Sequence, residues 1–369
     1  MLKTPLCDRL GIELPIILAS MGACTSAEFA AAMSNEGGLG GIGTLFRPAA
    51  AVKRDIDMMR TLTKRPFAIN HIPHMLNNEI FQYTLDARPA VISFALADPG
   101  DLVRQVHDVG SLVMMQIATV EQAIRAAEQG VDVIIAQGTE AGGYSGPVST
   151  MTLVPQVVDA VSPVPVVAAG GIFDGRGIAA ALILGAAGVN LGTRFIASKE
   201  APASEEYKRA IAEANSEDAK KFDVLNDISP LPGTGGFGTV VRSLPTAFLE
   251  EWSGKREEAR SHRARLLDQI VTTAATGRQH ESLLGAGQST GGIKEILSLG
   301  EIIRRLIVET EAALGHAAVL LPKDAMSRTT ERKRLTIGTG FRSTVSVNPR
   351  SQESSIGHGF KDSTHRRRV

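Results

Sequence analysis

The sequence predicts a (β/α)8 TIM barrel, an α/β fold, extended by a C-terminal helical lid segment and a disordered basic tail. Three observations predict it. Short apolar runs of β type alternate with helix-type runs about eight times in roughly the first 200 residues, the tally of this fold. The last two runs end in glycine, at Pro165-Val166-Val167-Ala168-Ala169-Gly170-Gly171-Ile172 and at Asn190-Leu191-Gly192-Thr193. A barrel builds a phosphate clamp from its last two strand ends in this way. Glycine lets backbone N–H groups approach an anion closely, and the positive end of a following helix adds to the attraction. The predicted strand ends also form a ring rich in amides and poor in charge. A doubly wound sheet needs fewer strands and ranks second.

Each element follows from its pattern. Leu14–Leu18 reads as the first strand, and Ser26 caps a helix running to about Asn35. Leu39–Ile42 is a strand followed by a helix containing Val52–Leu62. Pro66–Ile69, with a helix between Leu76 and Leu85, makes the third pair. Ala90–Phe94 with Asp101–His107 makes the fourth. Leu112–Met115 precedes an amphipathic helix, Val120–Glu128, expected to turn Ala123, Ile124 and Ala127 inward. Val131–Ala136 is almost wholly apolar, as a parallel strand covered on both faces should be. Leu153–Val161 is its helix. Val164–Ala168, Ile178–Leu184 and Gly188–Leu191 complete the count.

The domain boundaries follow from changes in pattern. Residues 1–200 form the barrel. Residues 201–285 are dense in charge and lose the strand alternation, which predicts a helical lid over one end. Residues 286–320 return to the barrel through an amphipathic helix, Leu297–Leu314, apolar at Ile302, Ile303, Leu306 and Ile307. Residues 321–369 are rich in Ser, Thr, Arg and Gly and end in Arg366-Arg367-Arg368. That composition predicts a disordered tail.

Composition excludes several classes. Hydrophobic residues make up 43% of the 369 and aromatic ones only 4%, so the core must be built from small aliphatics. A formal net charge of +0 offers no reason to expect nucleic acid as a partner. Two cysteines, Cys7 and Cys24, cannot make a disulfide framework and point to a reducing compartment. Metal-ligand spacing is absent, so no metal is expected. The N-terminus lacks the apolar core of a signal peptide, and Ile178–Leu191 is too short and glycine-rich to span a membrane. The expectation is a cytoplasmic protein without membrane partners.

The strand ends read Met21, Gly43-Thr44, Asn70, Ser93, Gln116, Gln137-Gly138, Gly170-Gly171 and Gly192-Thr193. Glycosidase chemistry needs two acids flanking a bond, and only Glu140 follows a strand here. No Gly-x-Ser-x-Gly elbow is present. Amides and glycines suit a flat heteroaromatic ring whose edge must be hydrogen-bonded, such as a flavin or nucleotide.

At Ala136-Gln137-Gly138-Thr139-Glu140-Ala141-Gly142-Gly143 the chain resembles the nitronate monooxygenase family, formerly called 2-nitropropane dioxygenases. Met21-Gly22, Phe67-Ala68-Ile69-Asn70, Ala169-Gly170-Gly171 and Gly192-Thr193 resemble that family in the same order, with further likeness at Gly287-Gln288. FMN-dependent enoyl-ACP reductases share most of these motifs. The resemblance implies an FMN-binding barrel over residues 1–200. Met21, Asn70, Gln116, Gly142 and Gly143 would line the ring system and ribityl chain, and Gly22, Gln137 and Gln288 would also bind the cofactor. Gly170, Gly171, Gly192 and Thr193 would hold the 5′-phosphate. It also implies oxidation of alkyl nitronates with O2 to a carbonyl compound and nitrite.

Much of that family has a histidine directly after Ala-Gly-Gly, where this chain has Tyr144. A phenol of pKa about 10 is a poor base at neutral pH but a good hydrogen-bond donor. The expectation is that Tyr144 orients a substrate arriving as an anion, such as a pre-formed nitronate. The plain alternative is that it fills the pocket wall. His74, in the loop after strand three, is the other candidate base. If Asn70 faces the ligand, strand alternation turns His71 away.

Other features read as structural. Gly38-Leu39-Gly40-Gly41-Ile42-Gly43 satisfies G-x-G-x-x-G, but it runs from a helix end through a strand and fails the context of that motif. Cys24 is expected to be a small buried filler, Glu140 to fix its loop through backbone amides, and Phe248 and Trp252 to anchor the lid. Two other functions stay open. One is NAD(P)H-dependent FMN reduction of quinones or enoyl thioesters, and the other is a non-redox enzyme acting on a sugar phosphate. Oligomeric state is not legible.

Overall fold

A computed structural model of the chain describes residues 2–231 and 238–320. The basic tail expected at 321–369 lies outside the described residues, as does part of the glycine-rich loop near 230–238. No helix among the described residues is long and apolar enough to cross a membrane.

Eight parallel strands form the barrel. They are β1 (Ile16–Leu18), β2 (Gly40–Gly43), β3 (Phe67–His71), β4 (Val91–Phe94), β5 (Leu112–Ile117), β6 (Val133–Gln137), β8 (Val166–Ala169) and β9 (Gly188–Leu191). Their order around the sheet is β1-β9-β8-β6-β5-β4-β3-β2. A parallel bridge between Ile17 and Leu39 joins the two end strands, so the sheet closes on itself. The predicted α/β barrel is the observed fold.

Helices cover the outside: α2 (Ala27–Asn35), α3 (Ala49–Leu62), α4 (Asn78–Ala87), α5 (Leu102–Asp108), α6 (Val120–Glu128), α7 (Thr150–Val161) and α8 (Gly175–Ile183). Their starts are chemically marked. Ser26, Asn77, Thr119 and Asp174 each accept a backbone N–H in the first turn of the helix they precede. On α6 the inward stripe is Gln122, Ala123 and Ala126, and Ile124 is exposed. The expected register is rotated because the Gln122 side chain turns in to accept the Ala118 N–H at 2.8 Å.

Gly40 shows why β2 is glycine-rich. A Cβ there would lie 1.9 Å from the Ala30 carbonyl oxygen, so only glycine lets α2 pack this closely on the strand. The barrel interior is filled by Ile17, Leu39, Ala68, Val91, Met114, Val133 and Val167. A helix that the sequence reading missed, α1 (Pro5–Leu10), closes the bottom with Leu6, Cys7 and Leu10.

The lid is not purely helical. It contains α10 (Glu205–Glu213), α11 (Val224–Ile228), α12 (Ala247–Ser253), α13 (Arg256–Ser261) and α14 (Arg263–Ala275), after a single turn α9 (Thr193–Ile196). It also carries β10 (Lys220–Lys221) and β11 (Val240–Ser243), which join β7 (Gly143–Ser145) from the loop after β6 in an antiparallel sheet. The three strands are too short to announce themselves by alternation, and β7 exists because β11 pairs with it. Phe248 and Trp252 pack with Leu225, Leu249, Leu266 and Ile270, which anchors the lid. The last helix, α15 (Leu299–Val319), lays Leu299, Ile302, Ile303 and Leu306 into the core between barrel and helices.

Candidate active site

The C-terminal ends of the strands open into a cavity of about 300 Å3 under the lid. Of the fourteen side chains and glycines singled out from sequence, twelve line it and two do not. Met21, Gly22, Asn70, Gln116, Gln137, Gly142, Gly143, Tyr144, Gly170, Gly171, Gly192 and Thr193 all line it. His74 and Gln288 do not. The short turn Pro73–Met75 carries His74 to the exposed surface. Gln288 is half-buried, and its backbone N–H donates to the Glu140 carbonyl at 2.9 Å.

Strand alternation sets the polar ring. Gln116 Nε2 donates to Gln137 Oε1 at 3.1 Å, and Asn70 Nδ2 donates to Ser93 Oγ at 3.1 Å. Asn190 adds a fourth amide, and its buried Oδ1 has no partner. Sequence reading named Asn190 as a strand end but not as a site residue. Its signal was visible: an amide inside an apolar run, two residues before a glycine turn. His71 faces the other way, toward α4, where its Nε2 meets Thr84 Oγ1 at 3.1 Å. Thr84 gives its own proton to the Ile80 carbonyl, so the Nε2 of His71 is the donor. Burial lowers the His71 pKa to about 4.

Gly170 and Gly171 turn sharply after β8, with φ of 101° and 72°, a region that favours glycine. The turn is braced by Thr150, whose Oγ1 donates to the Gly170 carbonyl at 2.9 Å. The end of α8 is not free to receive an anion as a plain helix terminus would be. Asp174 accepts the Gly177 N–H at 3.0 Å and Glu309 accepts that of Gly175 at 2.9 Å. What remains for a phosphate is the glycine backbone and Thr193. The Thr193 Oγ1 accepts the Gly287 N–H at 2.9 Å, which leaves its proton available to a ligand. Glu140 accepts the Thr150 N–H at 2.9 Å, so it fixes the loop and caps α7.

No Asp, Glu, Lys, Arg or His among the described residues lines the cavity. Its ionisable groups are Cys24, Tyr144 and Tyr207. Burial pushes the Cys24 thiol up to about 12 and the Tyr207 phenol well above its usual value. Tyr207 donates to the Gly285 carbonyl at 2.8 Å. Burial also raises the Tyr144 phenol, against the smaller opposing effect of a hydrogen bond with Ser229. All three are therefore neutral at physiological pH. The lid closes the cavity with Leu225, Ser229, Val241, Leu267, Ile270 and Leu283. Sequence reading could not find these, because nothing local marks which face of a lid helix meets the barrel. No cluster of metal-ligating side chains occurs among the described residues.

Comparisons with known proteins agree with this geometry. The family model described as nitronate monooxygenase matches residues 3–83 and 78–309. A probable nitronate monooxygenase from Staphylococcus haemolyticus is 31% identical over 77% of this chain and 90% of its own length. The (3aS,4S,5R,7aS)-5-hydroxy-7a-methyl-1-oxo-octahydro-1H-indene-4-carboxyl-CoA dehydrogenase of Mycobacterium tuberculosis is 29% identical over 87% of this chain and 99% of its own. The solved structure of FabK from Thermotoga maritima superposes with a TM-score of 0.79 at 30% identity, covering 87% of this chain and all of that one (100%). A family model that spans most of the chain, together with a relative 31% identical over 77% of it, shows that the protein is an oxidoreductase belonging to the nitronate monooxygenase family.

Proposed function

We propose that the barrel mouth binds FMN and that the protein passes electrons between that flavin and a small organic substrate. The first reading is oxidation of alkyl nitronates with O2 to a carbonyl compound and nitrite. The observation that carries it is the lack of any charged or imidazole side chain among the described residues of the cavity wall. Flavin chemistry on a substrate that arrives as an anion needs no protein base, whereas proton abstraction from a neutral nitroalkane does. Lyase or isomerase chemistry on a sugar phosphate calls for an acid or a lysine, and the described wall has neither.

The residues fit FMN. Gln116, Gln137, Asn70 and the unpartnered Asn190 amide offer donors and acceptors for the edge of a flat ring. Met21 and Gly22 line the cavity together with Gly142 and Gly143 of the loop after β6, and would supply it with an apolar flank. Gly170, Gly171, Gly192 and Thr193 would take the phosphate through backbone amides and one hydroxyl. The flavin, when bound, supplies the electron-accepting centre. Tyr144 stays protonated and donates a hydrogen bond to the anionic end of the substrate, and the lid excludes water.

A second reading has its own observation. The lid side of the cavity is apolar, with Leu225, Val241, Leu267, Ile270 and Leu283. Such a wall suits a bulkier body than a small nitronate, and one relative is named as acting on a carboxyl-CoA compound. NAD(P)H-dependent reduction of an enoyl thioester or quinone fits this surface. Two measurements decide. A purified protein that is colourless and takes up no added FMN overturns both readings. If it is yellow, anaerobic mixing with NADH separates them: rapid bleaching supports the second, and bleaching by nitronate alone supports the first.

A further inference from the structure

We propose that Gln279, on the lid, is a substrate contact, and that the substrate is a largely apolar molecule carrying a hydroxyl or similar hydrogen-bonding group away from its reacting carbon. This rests on the reading that the cavity is where the substrate binds. It goes beyond that reading in assigning a specificity-determining residue and a chemical feature that the residue selects.

Gln279 opens the short turn Gln279–Glu281 after α14 and lines the cavity. It is only 4% exposed, and its side-chain Oε1 is buried without a partner. Its backbone carbonyl is committed, accepting the N–H groups of Ser282 and Leu283 at 3.0 and 2.9 Å. Nearby hydroxyls are committed as well. Ser282 and Thr273 hydrogen-bond one another, and Thr246 donates to the Ser282 carbonyl at 2.8 Å. Ile270, Ala274 and Leu283 line the same cavity and offer nothing polar from their side chains. A buried amide carbonyl left unmatched is costly, and folded proteins seldom keep one without a use. Among the described residues, Asn190 and Gln279 are the two whose unpartnered buried oxygens belong to cavity-lining side chains. Asn190 stands in the barrel mouth with the amides assigned to the flavin. Gln279 stands on the lid, which places its partner at the other end of the ligand.

The test is anaerobic calorimetric titration of the purified full-length protein with matched probes. One series is primary alkyl nitronates of four to ten carbons, with and without a terminal hydroxyl. The other is 2-enoyl thioesters of N-acetylcysteamine with the same two endings. In at least one series, at one or more chain lengths, the hydroxylated probe should bind about tenfold tighter than its plain partner. The near-isosteric Gln279→Met should bring that ratio to about one. The proposal is overturned if the wild-type protein shows no hydroxyl preference at any length, or if Gln279→Met keeps it. Failure of this inference is distinct from failure of the redox reading. Equal affinities with brisk turnover refute the inference alone, and a Gln279-dependent preference without turnover refutes the redox reading alone.

Discussion

At the scale of residues, Tyr144 and His71 are both shifted by burial, with opposite consequences. Burial raises the Tyr144 phenol, which holds it protonated and able to serve as the proposed donor across the neutral range. With a pre-formed nitronate, kcat/KM should show no enzyme-derived inflection between about pH 6 and 9. Tyr144→Phe should lower it about ten- to a hundredfold, the worth of one hydrogen bond to a charged group. A pH-rate profile of both proteins checks this; an inflection present in the parent and absent from the variant would contradict the donor role. His71 has its pKa lowered to about 4. Between that value and the unfolded value of about 6.5, the unfolded chain binds a proton that the folded chain refuses. Stability is therefore full above about pH 6.5 and falls as acid is added toward pH 4, by about 3 kcal/mol in all. Urea midpoints at pH 7.5 and 5 should differ less in His71→Gln than in the parent.

At the scale of elements, the loop after β6 determines the site. It carries Glu140, Gly142, Gly143 and Tyr144, and it becomes a strand only where β7 meets β11. Its anchor is Glu140 on the first turn of α7, a helix whose own N-cap residue, Ser149, makes no capping hydrogen bond. A carboxylate there satisfies an orphan N–H and complements the helix dipole. Glu140→Ala should cost about 1–2 kcal/mol of stability. It should also loosen the Gly170 turn, because the Thr150 hydroxyl braces that turn and Glu140 holds Thr150 through its backbone N–H. A thermal melt together with the rate of FMN loss on dilution tests both parts. A lower melting point with unchanged FMN retention would show that the brace does not reach the proposed phosphate site.

At the scale of the whole molecule, Arg242 is a buried polar tie between lid and barrel. It is 8% exposed, and its guanidinium donates to the Thr139 carbonyl of the loop after β6 at 3.1 Å and to the Ala219 carbonyl of the lid. Burial lowers its pKa, and the nearby Glu140 carboxylate opposes that shift. Arg242→Met should cost about 2–3 kcal/mol and act on the lid first. Amide hydrogen exchange should rise in residues 240–285 and in β7, and stay at the parent's level in β3 to β6. A uniform rise across the barrel would show instead that lid and barrel open as one unit.

What the sequence determined by itself was the barrel and its mouth. Eight apolar runs with short spacings admit few arrangements, and each strand end could be named because alternation dictates which residue points inward. Asn70, Gln116, Gln137 and the Gly170–Gly171 turn were legible on that ground. The sequence could also show the tyrosine in place of a histidine, though not that its surroundings hold it neutral. The tertiary structure alone decided the rest. It placed α1 under the barrel, rotated α6 so that Gln122 rather than Ile124 turns inward, and moved His74 to the surface. It made β7 a strand and put Gln279 over the cavity. The physical reason is the range of the interactions. Local periodicity reports which face of an element is apolar, whereas the partner across a loop or lid comes from contacts a hundred residues away in the chain, which no local pattern encodes.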